Sequence, residues 1–146
     1  MPFHTRKKVH SFLPQCVIAV MSAQILIADD SRAVRRRLHG LLEQNPNWKV
    51  CAEAVDGPDV IAKAQQFKPD VVVLDFFMPG MTGVEAARVL SRLLPSTPIL
   101  IFTLYITAQL VEQAKSAGIR GAVQKSDTGE IVRGIETLLR DKTFFK

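Results

Sequence analysis

Val71-Val72-Val73-Leu74-Asp75-Phe76-Phe77-Met78-Pro79-Gly80 is the stretch that decides the fold. Four consecutive apolar residues, three of them β-branched, read as a strand buried on both faces, as in a parallel sheet. The run stops at a single carboxylate, and a Met-Pro-Gly turn follows. In open α/β folds, ligands bind in the crevice beyond the carboxyl ends of the strands. One acid in such a place could simply cap a turn. Three other apolar runs end in the same way, however. Ile25-Leu26-Ile27-Ala28 leads to Asp29 and Asp30, Ile99-Leu100-Ile101-Phe102 to Thr103, and Gly121-Ala122-Val123-Gln124 to Lys125. Acids, a hydroxyl and a lysine at four strand ends describe a site.

Between these runs lie helical patterns. Ser31 can cap a helix in which Val34, Leu38, Leu41 and Leu42 share one face, and Pro46 closes it. Residues Trp48 to Val55 alternate and read as the second strand. Pro58, with Asp59 in the first turn, opens the next helix; Val60, Ile61, Ala64 and Phe67 form its apolar face and Pro69 ends it. A third helix runs from about Gly83 to Leu94, bounded by Pro95, and Pro98 begins the fourth strand. The fourth helix turns Leu110, Val111, Ala114 and Ala117 inward and stops at Gly118, suited to a left-handed cap. Asp127 and Glu130 form a capping-box-like pair for the fifth, which buries Ile131, Ile135, Leu138 and Leu139.

Strands alternating with helices from Gln24 onward give a three-layer α/β/α fold around a doubly wound parallel sheet. With five strands, five helices and no glycine-rich dinucleotide loop, the flavodoxin-like order 2-1-3-4-5 is expected. That order sets the first and third strands side by side, so that Asp29, Asp30 and Asp75 converge.

Length and composition agree. At 146 residues the chain suits one domain with a real core, and 47% hydrophobic with 23% charged residues is ordinary for a globular protein. Cys16 and Cys51 have neither metal-ligand nor redox spacing, and Cys51 reads as a small buried hydrophobe. Of the net charge of +5, Arg6, Lys7 and Lys8 supply three in a segment without acids, so the basic balance is no nucleic-acid footprint. Arg32, Arg35, Arg36 and Arg37 read as a solvated helix face, or more sharply as a docking surface for an acidic partner.

Residues 1–23 differ from the rest. A basic start followed by Phe12 to Val20 looks like a secretory signal, but Pro14 and Gln15 break its apolar part far short of the ~20 residues of a membrane span. We read it as a leader that is disordered or not native, with Met21-Ser22-Ala23 as an alternative start. Residues 24–140 are then the domain and 141–146 the beginning of a linker or tail, in which Phe144 and Phe145 are exposed.

Three carboxylates in one crevice repel one another and raise each other's pKa unless a cation relieves them. Oxygen-only ligands on strand ends and loops suit Mg²⁺. A carboxylate beside such an ion is a plausible phosphoryl acceptor. Lys125 could pair with one phosphoryl oxygen and the Thr103 hydroxyl could donate to another.

On these residues the chain from Ile25 to about Leu139 resembles a response-regulator receiver domain of two-component signalling. The matching pieces are Asp29-Asp30, Asp75 followed by Met78-Pro79 and Gly83, Thr103, and Lys125. The Lys125-Ser126-Asp127 ending resembles the NarL and LuxR-type branch, where serine replaces the proline that follows the lysine elsewhere. The resemblance implies that Asp75 accepts a phosphoryl group from a sensor histidine kinase. It implies that Asp29 or Asp30, Asp75 and the backbone carbonyl of Phe77 hold Mg²⁺. It also implies that phosphorylation draws Thr103 inward and reshapes the face made by the fourth helix, fifth strand and fifth helix. The expected setting is cytoplasmic, the expected assembly a homodimer, and the domain signals rather than turning over a substrate.

Two features depart from the pattern. The aromatic switch residue usual three positions before the lysine is Ala122 here, with Tyr105 a nearby substitute. The positions flanking the acceptor are large, Phe77 and Tyr105, and as rings they would shield an acyl phosphate from water. Two competing readings follow. One is a receiver-shaped interaction module that works without phosphorylation, which Ala122 keeps open. The other is a Mg²⁺-dependent aspartyl phosphatase of the haloacid-dehalogenase type, which wants an acid two residues after its nucleophile; Phe77 and Ser31 occupy those places after Asp75 and Asp29. No DNA-reading element is expected in these residues, although this branch often carries a helix-turn-helix domain after the receiver, which would make the chain the N-terminal part of a transcriptional regulator.

Overall fold

The strands and helices alternate along the chain without interruption. The computed structural model describes residues 22–145. Its elements are β1 (Ala23–Ala28), α1 (Arg32–Leu42), β2 (Trp48–Ala54), α2 (Gly57–Phe67), β3 (Val71–Asp75), α3 (Gly83–Leu93), β4 (Ile99–Thr103), α4 (Ala108–Ser116), β5 (Gly121–Gln124) and α5 (Thr128–Leu139). All strand pairs are parallel and the order is β2-β1-β3-β4-β5, as the alternation predicts. The fold is flavodoxin-like.

The period of two along each strand sorts its side chains between two layers. Ile25, Ile27, Val71, Val73, Leu100, Phe102 and Val123 face α1 and α5, meeting Leu38, Leu42, Ile131, Ile135 and Leu138. Leu26, Ala28, Val72, Leu74, Ile99, Ile101 and Ala122 face α2, α3 and α4, meeting Val60, Ala64, Ala86, Leu90, Leu110 and Ala114. Val71 to Leu74 are completely buried, each apolar side chain stabilising the fold by about 1.5–3 kcal/mol. That burial is why β3 is a run of apolar residues and not an alternating one.

Every helix among the described residues has an oxygen-bearing cap. The Ser31 hydroxyl accepts the Val34 N–H at 3.3 Å, and Asp56 accepts that of Asp59 at 2.9 Å. Thr82 and Glu85 form a reciprocal capping box at 2.8 and 3.1 Å, Thr107 accepts the Leu110 N–H, and Asp127 that of Glu130.

Several boundaries and exposures differ from expectation. The first strand begins at Ala23, one residue earlier than the sequence pattern places the domain. Val55 lies past the end of β2 and is 44% exposed. Phe67 ends α2 just before the left-handed turn at Lys68 and is 40% exposed, outside both core layers. Leu94 is the cap of α3 and not its last turn. Asp127 and Glu130 do not form a reciprocal box, since the Glu130 carboxylate bonds Arg133 instead. Phe144 and Phe145 are half-buried against the core. The expectations for residues 1–21 and Lys146, Cys16 among them, lie outside the described residues.

Candidate functional site

The topology builds the site by putting β1 and β3 in register. Ala28 pairs with Leu74, so the residues that follow, Asp29 just past β1 and Asp75 as the last residue of β3, stand side by side at the strand ends. One carboxylate oxygen from each of Asp29, Asp30 and Asp75 lies within 4.8 Å of the others. Asp29 and Asp75 are buried, while Asp30 is exposed. The three acids expected to converge do so.

Lys125 enters from the end of β5. Its Nζ lies 2.9 Å from Asp29 Oδ2 and 3.2 Å from Asp75 Oδ1, and 5.0 Å from the centroid of the Phe102 ring. The Asp29 Oδ2 contact is ionic and lacks the alignment of a hydrogen bond, so this fully buried oxygen keeps lone pairs for a cation. Asp29 Oδ1 accepts the Ser31 N–H at 2.7 Å, and Asp75 Oδ1 accepts the Phe77 N–H at 3.3 Å.

Burial, and after it the negative charge of Asp29, push the Asp75 carboxyl up to about 6; the charge of Lys125 and the Phe77 N–H pull the other way without cancelling the rise. Burial works to lower the Lys125 pKa, but contact with Asp29 and the charges of Asp75 and Asp29 outweigh it and hold the ammonium above its usual range. One cation therefore serves two buried anions, and the site remains short of positive charge. Three oxygen donors in that condition fit a hard divalent ion such as Mg²⁺.

Local backbone geometry holds the loop after β3. Gly80 has φ of 77°, a left-handed conformation natural to glycine. Met78 is buried and anchors the turn. Gly83 is needed for a different reason. A Cβ there would sit 2.3 Å from the Asp75 carbonyl oxygen, and the Gly83 N–H donates to the Phe76 carbonyl at 2.8 Å. Phe77 is thereby presented two residues after Asp75, 67% exposed, its ring edge-on to Phe76 at 4.6 Å.

The other expected residues fall in two groups. Thr103 is buried at the end of β4, its carbonyl accepting the Lys125 N–H at 2.8 Å. Tyr105 is 77% exposed and shares with Phe76, Phe77 and Leu110 the lining of a groove of about 360 Å³. Ala122 is buried and borders a separate hollow of about 320 Å³ with Ile106, Gln124, Asp127 and Glu130. Tyr105 does not line that hollow. One supporting residue had no sequence signal. Arg35 donates to the Asp29 carbonyl at 2.9 Å and to Glu53 at 3.1 Å, tying α1 and β2 to the acidic corner. It stands among four arginines of similar appearance, and only the tertiary structure distinguishes it.

With this geometry in hand, the comparisons are specific. Residues 25–136 match the model of the response regulator receiver domain family. The chain is 34% identical over 124 residues to the uncharacterized transcriptional regulatory protein YxjL of Bacillus subtilis, covering 84% of this chain and 57% of that protein. It is 31% identical to the response regulator protein VraR of Staphylococcus aureus, covering 86% of this chain and 66% of VraR. It thus spans less than two thirds of either relative's length. A crystal structure of a LuxR-family two-component response regulator from Aurantimonas sp. SI85-9A1 superposes with a TM-score of 0.82 at 35% identity, over 84% of this chain and 89% of that one.

Proposed function

The chain belongs to the response regulator receiver domain family, and from that premise we propose that Asp75 is its phosphoacceptor and a sensor histidine kinase its donor. An Asp75 carboxylate oxygen attacks the phosphorus, forming the O–P bond of an acyl phosphate as the P–N bond to the kinase histidine breaks. The observation that carries this reading is the shared lysine: Lys125 lies within 3.2 Å of both buried carboxylates, where it can pair with a phosphoryl oxygen instead. Asp29, Asp30, Asp75 and the Phe77 carbonyl would hold Mg²⁺, which when bound neutralises charge on the transferring group. Thr103, next to this corner on β4, offers its hydroxyl to a third phosphoryl oxygen.

The domain works as a switch and not as an enzyme with a turnover substrate. Its setting is cytoplasmic, it acts as a homodimer, and it forms the N-terminal part of a transcriptional regulator. A relative named as a transcriptional regulatory protein supports the last of these, and no helix among the described residues is long and apolar enough to cross a membrane. Incubation with acetyl phosphate and Mg²⁺ is expected to add one phosphate, lost in Asp75→Ala. Absence of the adduct favours the second reading, a phosphorylation-independent module, for which the Ala122 hollow is the supporting observation.

A further inference from the structure

β5 is the outer strand of the sheet, and the residues after α5 return to cover its edge. Asp141 has a left-handed φ of 61°. The N–H groups of Arg140, Asp141 and Lys142 bond back to carbonyls of Thr137 and Leu138 at 3.0–3.3 Å, and the chain reverses. Phe144 then donates its N–H to the Arg120 carbonyl at 2.8 Å and accepts the Ala122 N–H at 3.0 Å, bridging Gly121 in the parallel sense. The two rings straddle the sheet. Phe144 joins the layer of α5, and Phe145 the layer that contains Ala122. From α4, Lys115 Nζ lies 5.2 Å from the centroid of the Phe145 ring.

The seat for this segment is built into the sequence. A Cβ at Gly121 would lie 2.9 Å from a Leu100 methyl and 3.1 Å from both a Leu138 methyl and the Phe144 carbonyl oxygen, and one at Gly134 would lie 3.3 Å from the Phe144 ring. Gly134 is inside α5, where glycine is a poor helix former; a Cβ there would first meet the Leu100 methyls at 3.1 Å and then the Phe144 ring, so both close approaches explain its place. Residues 142–145 therefore hold α4, β5 and α5 together as a strap.

We propose that this strap reports the phosphorylation state of Asp75 through the bonds of Phe144 to β5 and the packing of Phe145 between that strand's layer and Lys115. The inference rests on Asp75 being the phosphoacceptor. β5 has only four residues. Lys125 follows it directly, and the strap bonds to Ala122, three positions earlier. A phosphoryl group on Asp75 competes for the ammonium that Asp29 and Asp75 now share. As Lys125 follows the new charge it draws the end of β5 and, through its N–H, the Thr103 carbonyl. Two backbone hydrogen bonds and two half-buried rings are the weakest hold on that strand, so the strap loosens.

The test is amide hydrogen exchange by NMR on the full chain, with and without acetyl phosphate and Mg²⁺, phosphate on Asp75 being followed in the same samples by intact mass. Protection of the Ala122 and Phe144 amides should fall at least about fivefold on phosphorylation, the low end of typical site-to-site coupling, while β1 amides stay unchanged. Phosphate on Asp75 with unchanged protection overturns the strap and leaves the acceptor reading intact. No phosphate on Asp75 overturns both. In Phe145→Ala, shown folded by circular dichroism, both amides should exchange fast in either state; a phosphorylation-driven change surviving in that variant removes Phe145 from the coupling.

Discussion

Replacing Asp75 by Asn should make the metal-free domain more stable at neutral pH. Burial and the Asp29 charge hold the Asp75 carboxyl at about 6, against about 3.9 in an unfolded chain. At about 1.4 kcal/mol per pH unit, keeping it ionised in the folded state costs roughly 3 kcal/mol. The pull of Lys125 is already inside that figure. Asn keeps the shape and an acceptor for the Phe77 N–H, and Lys125 retains Asp29, so a gain of about 2 kcal/mol is expected. For a domain of this size that is roughly 6–10 °C in Tm. The sign follows from linkage. The folded wild-type protein holds the Asp75 proton more tightly than the unfolded chain. Its penalty is therefore complete above about pH 6 and fades as pH falls towards 4. Thermal melts in EDTA at steps from pH 7.5 to 4.5 measure it: the variant should lead at 7.5 and the gap should close on acidification. Equal stability at pH 7.5, or a gap independent of pH, refutes the electrostatic account.

Other outcomes follow from the same geometry. Lys125→Met leaves two buried carboxylates without their shared cation, and the metal-free protein should lose about 3 kcal/mol at pH 7.5 in urea unfolding, with partial recovery near pH 5. Gly83→Ala places a methyl 2.3 Å from the Asp75 carbonyl oxygen, and the backbone shift it forces should cost about 1–3 kcal/mol by the same method. Phe77→Asn and Tyr105→Glu open the groove they line to water, and each should speed loss of phosphate from Asp75 several-fold, followed by intact mass. Unchanged decay in both variants removes the shielding role.

Sheet order and the acidic corner were legible because burial leaves local traces. Val71 to Leu74 cannot alternate when both faces are covered, and the prolines and glycines between runs mark where the chain must turn. Four strand ends with polar residues could be assembled into one site because a doubly wound sheet brings parallel strand ends together. Legibility failed at the ends of elements. Phe67 satisfies the helical period, yet the chain turns away beneath it; Phe144 and Phe145 follow the last helix and resemble a tail. Phe144 is seated partly by space left at Gly121 and Gly134, far apart in sequence, which no local pattern displays. The choice of Arg35 among its neighbours is tertiary in the same sense. By contrast the Thr82-x-x-Glu85 spacing is a capping box visible in one dimension; the helix start at Gly83 could have been argued from it.

The site's instability and its usefulness have one origin. A receiver that satisfied every charge would gain little from an added anion. Here two buried carboxylates share one ammonium, with the carboxyl of Asp75 held near 6 as the measure of what remains unsatisfied. Any group that brings negative charge to Asp75 must take Lys125 in part from Asp29, and the lysine cannot move without its strand, because its N–H is tied to Thr103. Charge competition at one end of β5 therefore becomes displacement along a strand too short to absorb it by bending. Among the described residues, the opposite edge of that strand carries no further strand of the sheet, and the strap lies along it. Displacement is read out where the fewest bonds resist it, which is why the Phe144 and Phe145 contacts, and not the well-buried layers of α1 or α3, are where a signal from Asp75 should first appear.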